Sequence, residues 1–103
     1  MITDKTTLFA RAHLKRELVS IAALGGEQIE IVEMTLGTRG KLSQLVSDGR
    51  FADVAALVAS ECVPILKGTS ADEISTSMAP SVLEEISAAA MKLSGLTEDS
   101  EKN

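Results

Sequence analysis

Aromatic side chains are almost missing from this chain of 103 residues, which has two phenylalanines, Phe9 and Phe51, and neither tryptophan nor tyrosine. Apolar residues still make up 45% of the sequence, so alanine and aliphatic side chains must fill the core. A core of small side chains favours closely packed helices. The length is enough for one hydrophobic core. We therefore expect a single domain, with flexible ends at residues 1–6 and 97–103.

Reactive side chains are equally scarce, since His13 is the one histidine and Cys62 the one cysteine. A single cysteine excludes an internal disulfide, and one of each is too few for the usual tetrahedral zinc site. No carboxylate lies close to His13 in sequence to tune it as a catalytic base, so a surface position is expected. Cys62 follows apolar residues at helical spacing, which indicates a buried thiol. The sequence predicts no enzyme, no cofactor and no metal.

Charge is unevenly distributed along the chain. The net charge of −5 weighs against nucleic acid as the main partner. The first sixteen residues nevertheless carry four cations and one anion, whereas three of the last six residues are acidic. These opposite signs either support head-to-tail contacts between copies or simply mark two solvated ends. No run is long enough to cross a bilayer and the opening MITDKTT does not resemble a signal peptide, so a reducing cytoplasm is expected.

Residues 17–34, ELVSIAALGGEQIEIVEM, have the pattern of a β-hairpin. Apolar side chains alternate with others on both sides of Gly25-Gly26, with a period of two that is typical of strands. The glycines tolerate the positive φ angles of a tight turn. A lone hairpin is marginal in water, and its edges are open to another strand. We expect a partner to bind there, through Val19, Ile21, Ile29 and Ile31.

Helical patterns follow the hairpin to the end of the chain, and a short helix capped by Thr7 precedes it. Hairpin first and helices after is an α+β order, with a small bundle of about four helices. Caps, apolar stripes and breakers set the expected limits. The four predicted helices run from Thr35 to Gly49, from Phe51 to Cys62, from Ser70 to Met78, and from a second capping box at Ser81 and Glu84 to Gly95. Pro80 is expected at or near the first turn of the last helix.

Taken together, these segments resemble the tail assembly chaperones of long-tailed bacteriophages. That family typically pairs a short N-terminal helix with a hairpin of the form E-V-x-V-x-x-x-G-G-x-V-x-V-x-E-M-[ST]. The corresponding residues here are 17–35, ending in Glu33-Met34-Thr35. The family then places an arginine in the next helix, which Arg39 matches, and ends in a pattern similar to LSGLTE at residues 93–98.

The resemblance implies a non-catalytic protein that coats the tape measure protein before the tail tube polymerises. It also implies recruitment of the major tail protein, action in the host cytoplasm, absence from the finished virion, and a short product of a gene with a programmed frameshift. A coat must self-associate, so we expect rings or spirals built through the hairpin edges and the alanine-rich helix faces. Lys15, Arg16 and Arg39 complete the expected partner-binding residues.

Two other functions fit the residues. The basic group from Arg11 to Arg16 would suit a small DNA-binding regulatory dimer, whose binding should depend strongly on salt. The other is a minor structural protein of the virion, such as a head-tail connector. Mass spectrometry of purified particles separates this last function from a chaperone.

Overall fold

The structure is a computed structural model that describes residues 1–96. Its fold consists of an N-terminal antiparallel hairpin and helices. The α+β prediction is confirmed, with four helices after the hairpin and one before it in the described part of the chain. The predicted flexible end at residues 97–103 lies outside the described residues. The elements are α1 (Lys5–Arg11), β1 (Arg16–Ile21), β2 (Glu27–Val32), α2 (Leu36–Ser47), α3 (Val54–Cys62), α4 (Ala71–Ser77) and α5 (Pro80–Leu93), with 3-10 turns at Ala22–Leu24, Phe51–Asp53 and Pro64–Leu66.

The hairpin turn is longer than the sequence suggested. Strand β1 stops at Ile21, which pairs with Glu27, so residues 22–26 connect the strands. Residues 22–24 form a 3-10 turn that closes when Gly25 N–H donates to the Ala22 carbonyl and Gly26 N–H to the Ile21 carbonyl, both at 3.0 Å. Gly25 and Gly26 have φ angles of 69° and 86°, which side chains other than glycine rarely adopt. The prediction of glycines at the turn is confirmed, but the extended pattern through residues 22–24 is wrong.

The core lies between one face of the hairpin and the helices α3, α4 and α5. From the hairpin it takes Ile21 and Ile31, which are 1% and 0% exposed. Ala56, Ala59 and Ala90 are buried within the chain, where they allow the helices to pack closely. These alanines belong to the helix faces that were expected to form contacts between copies, so they are not accessible to a second copy. The core consists of Ile21, Ile31, Met34, Leu42, Ala56, Val58, Ala59, Cys62, Val63, Ile74, Val82, Leu83, Ile86 and Ala90.

Several helix limits agree with their local signals. Thr35 caps α2 by accepting a hydrogen bond from Thr38 N–H, and α2 begins directly after it in spite of two glycines in its first half. Ser70 caps α4 by accepting from Glu73 N–H at 3.2 Å. Gly95 adopts a φ of 75° after α5, and Leu96 N–H then donates to the Met91 carbonyl at 2.7 Å. This is the glycine-terminated ending expected for that helix.

Three predicted limits are wrong. Helix α1 starts at Lys5 because the Asp4 carboxylate accepts from Thr7 N–H, so Thr7 is inside the helix. Helix α5 starts at Pro80 with Ala79 before it, so Ser81 is not a cap. Phe51 is 67% exposed, because it begins a 3-10 turn before α3 instead of continuing its apolar stripe.

Candidate interaction surfaces

The C-terminal end of α5 is joined to the hairpin and to α2 by Ser94. Its hydroxyl oxygen accepts a buried hydrogen bond of 2.9 Å from Met34 N–H. Its carbonyl accepts a hydrogen bond from the guanidinium of Arg39, and a cation at that position also faces the negative end of the α5 dipole. Arg39 therefore has a structural partner within the chain. From the family resemblance Arg39 is expected to bind a partner, and nothing in the sequence indicates this contact across 55 positions.

A second long-range contact fixes the hairpin turn. The Glu85 carboxylate accepts a hydrogen bond of 2.9 Å from Ala23 N–H, 62 positions away in the sequence. Because Ala23 lies in the 3-10 turn, its N–H has no partner within that short element. Glu85 therefore joins α5 to the turn of the hairpin.

Both outer edges of the hairpin lack a neighbouring strand among the described residues. Glu33 N–H donates to the Lys15 carbonyl at 2.8 Å, so odd-numbered residues form the hydrogen-bonded pairs of the ladder. In an antiparallel ladder the alternate residues then direct their backbone groups outward. These residues are Leu18 and Ser20 on β1, and Gln28 and Glu30 on β2, all exposed. Each edge therefore offers unpaired backbone donors and acceptors to another chain.

The four apolar residues predicted to bind a partner at these edges are odd-numbered, so they belong to the hydrogen-bonded pairs of the ladder. Ile21 and Ile31 are buried in the core, and Val19 and Ile29 are half-buried on the same face. In the isolated chain Ile21 and Ile31 are not accessible to a partner, and their backbone groups are used in the ladder. The exposed apolar side chain on the outer face is Leu18, at 63%. The pairing register, once known, identifies Leu18 as an even-numbered residue of the exposed face.

The predicted cations lie at the open end of the hairpin. Lys15 and Arg16 are both exposed. Arg16 forms an exposed ion pair of 2.7 Å with Glu30 on the neighbouring strand. Exposed pairs of this kind contribute little to stability. Both cations remain accessible to a partner, so their predicted role stays a prediction.

An apolar groove of about 600 Å³ opens between α2, the start of α3 and the end of α5. We call it the α2–α5 groove. Two of its residues are exposed large apolar side chains, Val46 at 47% and Phe51 at 67%. Arg39 lies at its polar margin, where it contacts Ser94. The groove is lined by Arg39, Leu42, Ser43, Val46, Ser47, Phe51, Val54, Met91 and Leu96.

Helix α1 stands apart from the core. None of its residues is buried, and its two large apolar side chains, Leu8 and Phe9, are 48% and 65% exposed. Asp4 holds its first turn together, and the hydrogen bond from Thr7 N–H lowers the pKa of the Asp4 carboxyl, helped by the Thr7 side chain. Such a short helix with an exposed apolar side is the kind of segment that a partner surface stabilises.

The single cysteine and the single histidine lie in different environments. Burial raises the pKa of the Cys62 thiol to about 11, and the neighbouring Glu61 charge adds to this, so the nucleophilic thiolate is disfavoured. His13 is exposed, whereas Cys62 is fully buried. Within residues 37–41, Arg39 contacts Ser94 and Lys41 forms a 2.7 Å ion pair with Glu61. Among residues 1–96 no group of three metal-ligating side chains comes together.

Comparison with family models, curated proteins and solved structures finds no match to this chain. Within the part of the chain that the structure describes, no helix is long and apolar enough to span a bilayer.

Proposed function

We propose that this protein is a non-catalytic assembly chaperone of a long-tailed bacteriophage. It self-associates and coats the tape measure protein in the host cytoplasm while the tail is assembled, recruits the major tail protein, and leaves before the virion is complete. The observation that carries the proposal is the two-stranded sheet with two outer edges unpaired among the described residues. The resemblance of residues 17–35 and 93–98 to the tail assembly chaperones supplies the client.

The edge chemistry supports association by strand addition. A two-stranded sheet gains most from another strand, because its backbone groups are satisfied on the inner side only. On β1 the outward backbone groups belong to Leu18 and Ser20, and Leu18 adds an exposed apolar side chain. Main-chain hydrogen bonds give affinity in such contacts without requiring a particular sequence. This property suits a protein that must cover a long client at many positions.

The edge contact is tested by removing one outward N–H. In Ser20→Pro the ladder is preserved, because the Ser20 N–H points away from β2, and proline is tolerated at such edge positions. We expect Ser20→Pro to stay folded by circular dichroism and to lose the assembled species in size-exclusion chromatography with light scattering. Ser20→Ala, which keeps the N–H, should assemble as the wild type does. A folded Ser20→Pro protein that assembles normally would exclude pairing through the β1 edge.

The client is tested by co-expression with the tape measure protein of the same phage. We expect the wild-type chain to raise the soluble fraction of the tape measure protein and to elute with it, and Ser20→Pro to do so less. Mass spectrometry of purified particles should then detect the major tail protein but not this chain. Finding the chain in the particles would refute a chaperone and support a structural role in the virion.

A further inference from the structure

The two outer edges of the hairpin carry opposite charge. Residues 15–21, which include β1, contain two cations and one anion, whereas residues 27–33, which include β2, contain three carboxylates and no cation. These charged side chains are exposed, except for that of Glu33, which is half-buried. The β1 edge is therefore weakly basic and the β2 edge is acidic.

This difference favours the pairing of unlike edges between copies. Two β2 edges side by side would bring together the carboxylates of both strands, and like charges on facing strands are destabilising. In a two-fold pair of β1 edges the strands run antiparallel, so Lys15 and Arg16 of each copy lie at opposite ends of the ladder and gain no anion. When β1 faces β2 of another copy, each basic side chain meets an acidic strand.

Arg16 and Glu30 already match across the strands of one hairpin. They form an ion pair of 2.7 Å, and their side chains are still 62% and 42% exposed, so each can meet a second partner. Val32 is 8% exposed and lies beside Pro64, which leaves Gln28 and Glu30 as the accessible outward residues of β2. With Arg16 of a neighbour across from it, Glu30 would lie between two cations in a row of alternating charge.

The ladder parity keeps the cores of both copies on the same side. The outward backbone groups of both strands belong to even-numbered residues, and directly opposite residues of an antiparallel pair share a face. The faces that carry Ile21 and Ile31 therefore point the same way. The helices that cover this face are each about 10 Å across, whereas strands lie about 4.8 Å apart. Successive copies must then be inclined, so that the sheet curves with the helices outside.

We propose that β1 of one copy pairs antiparallel with β2 of the next copy, with Arg16 beside Glu30, so that successive hairpins form one continuous sheet. The contact joins unlike edges, so it is heterologous and repeats as a ring or an open spiral. It rests on the self-association part of the proposed function, where it names the partner of each edge, and it does not require the client.

Two proline variants each block one edge. Ser20→Pro blocks the β1 edge and keeps the β2 edge, whereas Gln28→Pro removes an outward N–H from β2 and keeps the β1 edge. Both residues are exposed and lie outside the hydrogen-bonded pairs of the ladder, so both variants should fold, which circular dichroism checks. At a concentration where the wild type assembles, we expect each variant alone to be monomeric in light scattering. Gln28→Ala, which keeps the N–H, should assemble as the wild type does.

Mixing the two proline variants is the decisive step. The β2 edge of Ser20→Pro and the β1 edge of Gln28→Pro are both intact and unlike, so a 1:1 mixture should form a heterodimer that does not grow. Light scattering, with one variant carrying a mass tag, measures this species. A chain with both prolines should join neither variant.

The charge contact is tested in the same heterodimer. Glu30→Lys, added to the Ser20→Pro chain, replaces the attraction for Arg16 of the neighbour by repulsion and should raise the dissociation constant about fivefold. Asp48→Lys makes the same charge change at an exposed position after α2 and should leave the dissociation constant unchanged. An effect of Glu30→Lys no larger than that of Asp48→Lys would refute the contact between Arg16 and Glu30.

Two results would overturn the pairing of unlike edges. These are a mixture that stays monomeric, and a Gln28→Pro chain that forms a stable dimer by itself while Ser20→Pro is monomeric. In the second case the β1 edge pairs with itself, so the proposed self-association stands and the unlike pairing falls. If the mixture forms the heterodimer but the wild type does not bind the tape measure protein, the unlike pairing stands and the proposed client falls.

Discussion

Replacing Ser94 by alanine tests the junction that holds the hairpin, α2 and α5 together. Ser94 is 5% exposed and Met34 is 4% exposed, and the Met34 N–H donates to the Ser94 hydroxyl oxygen at 2.9 Å. Alanine preserves the Cβ atom and the backbone carbonyl that Arg39 contacts, so the substitution removes one acceptor. The Met34 N–H is then buried without a partner. Leaving such a group unsatisfied costs about 1–3 kcal/mol of the free energy of unfolding.

Urea denaturation followed by circular dichroism measures this cost. We expect a lower midpoint with an unchanged m-value, because the surface exposed on unfolding is the same. The melting temperature of a domain of this size should fall by about 4–8 °C for each kcal/mol lost. All variants are compared at one protein concentration, since self-association would add to the apparent stability.

Two other serines provide matched controls. Ser70→Ala removes the cap of α4 and should cost about 0.5–2 kcal/mol. Ser81→Ala changes an exposed residue inside the first turn of α5 that caps nothing, so its effect should stay within about 0.5 kcal/mol. A Ser94→Ala variant that is as mild as Ser81→Ala would show that the hydrogen bond between Met34 and Ser94 contributes little to stability. A cost for Ser81→Ala equal to that for Ser70→Ala would restore Ser81 as a cap.

Three further predictions concern the core, the turn and the ladder. The Cys62 thiol should not react with a disulfide reagent at pH 8 until urea unfolds the chain. Burial raises the pKa of this thiol from 9.0 to about 11. The contribution of the protonated thiol to the free energy of unfolding is therefore fully present below pH 9 and should be lost towards pH 11 in the wild type, but not in Cys62→Ala. Glu85→Ala should speed hydrogen exchange of the Ala23 amide, and Glu85→Gln should preserve part of its protection. Ile31→Pro, which breaks the ladder within the core, should unfold the chain in circular dichroism, unlike Ser20→Pro.

The elements with strong local signals could be predicted from the sequence. Thr35 and Ser70 each precede a helix with a free N–H within reach of the hydroxyl oxygen, and Gly49 and Gly95 adopt the positive φ that ends a helix. The hairpin could also be predicted, because one of its faces is buried and apolar residues therefore alternate with others along each strand. These signals act within a few residues, so the rest of the chain does not change them.

The misplaced limits had competing local signals. Pro80 fits the first helical position, which makes Ala79 the cap and leaves Ser81 one residue too late. Phe51 lies in a turn with about three residues per revolution, so it leaves the stripe that a period of 3.6 would give it. Nothing local marks the contacts of Arg39 with Ser94 or of Glu85 with Ala23, because folding alone brings those partners together.

The two outer edges of the hairpin determine which assemblies strand pairing can build. Pairing β1 of one copy with β1 of another is a two-fold contact, so it closes into a dimer and leaves only the β2 edges for growth. A coat along a client of many times the chain's length needs contacts that repeat. Such a coat therefore requires both edges of the hairpin.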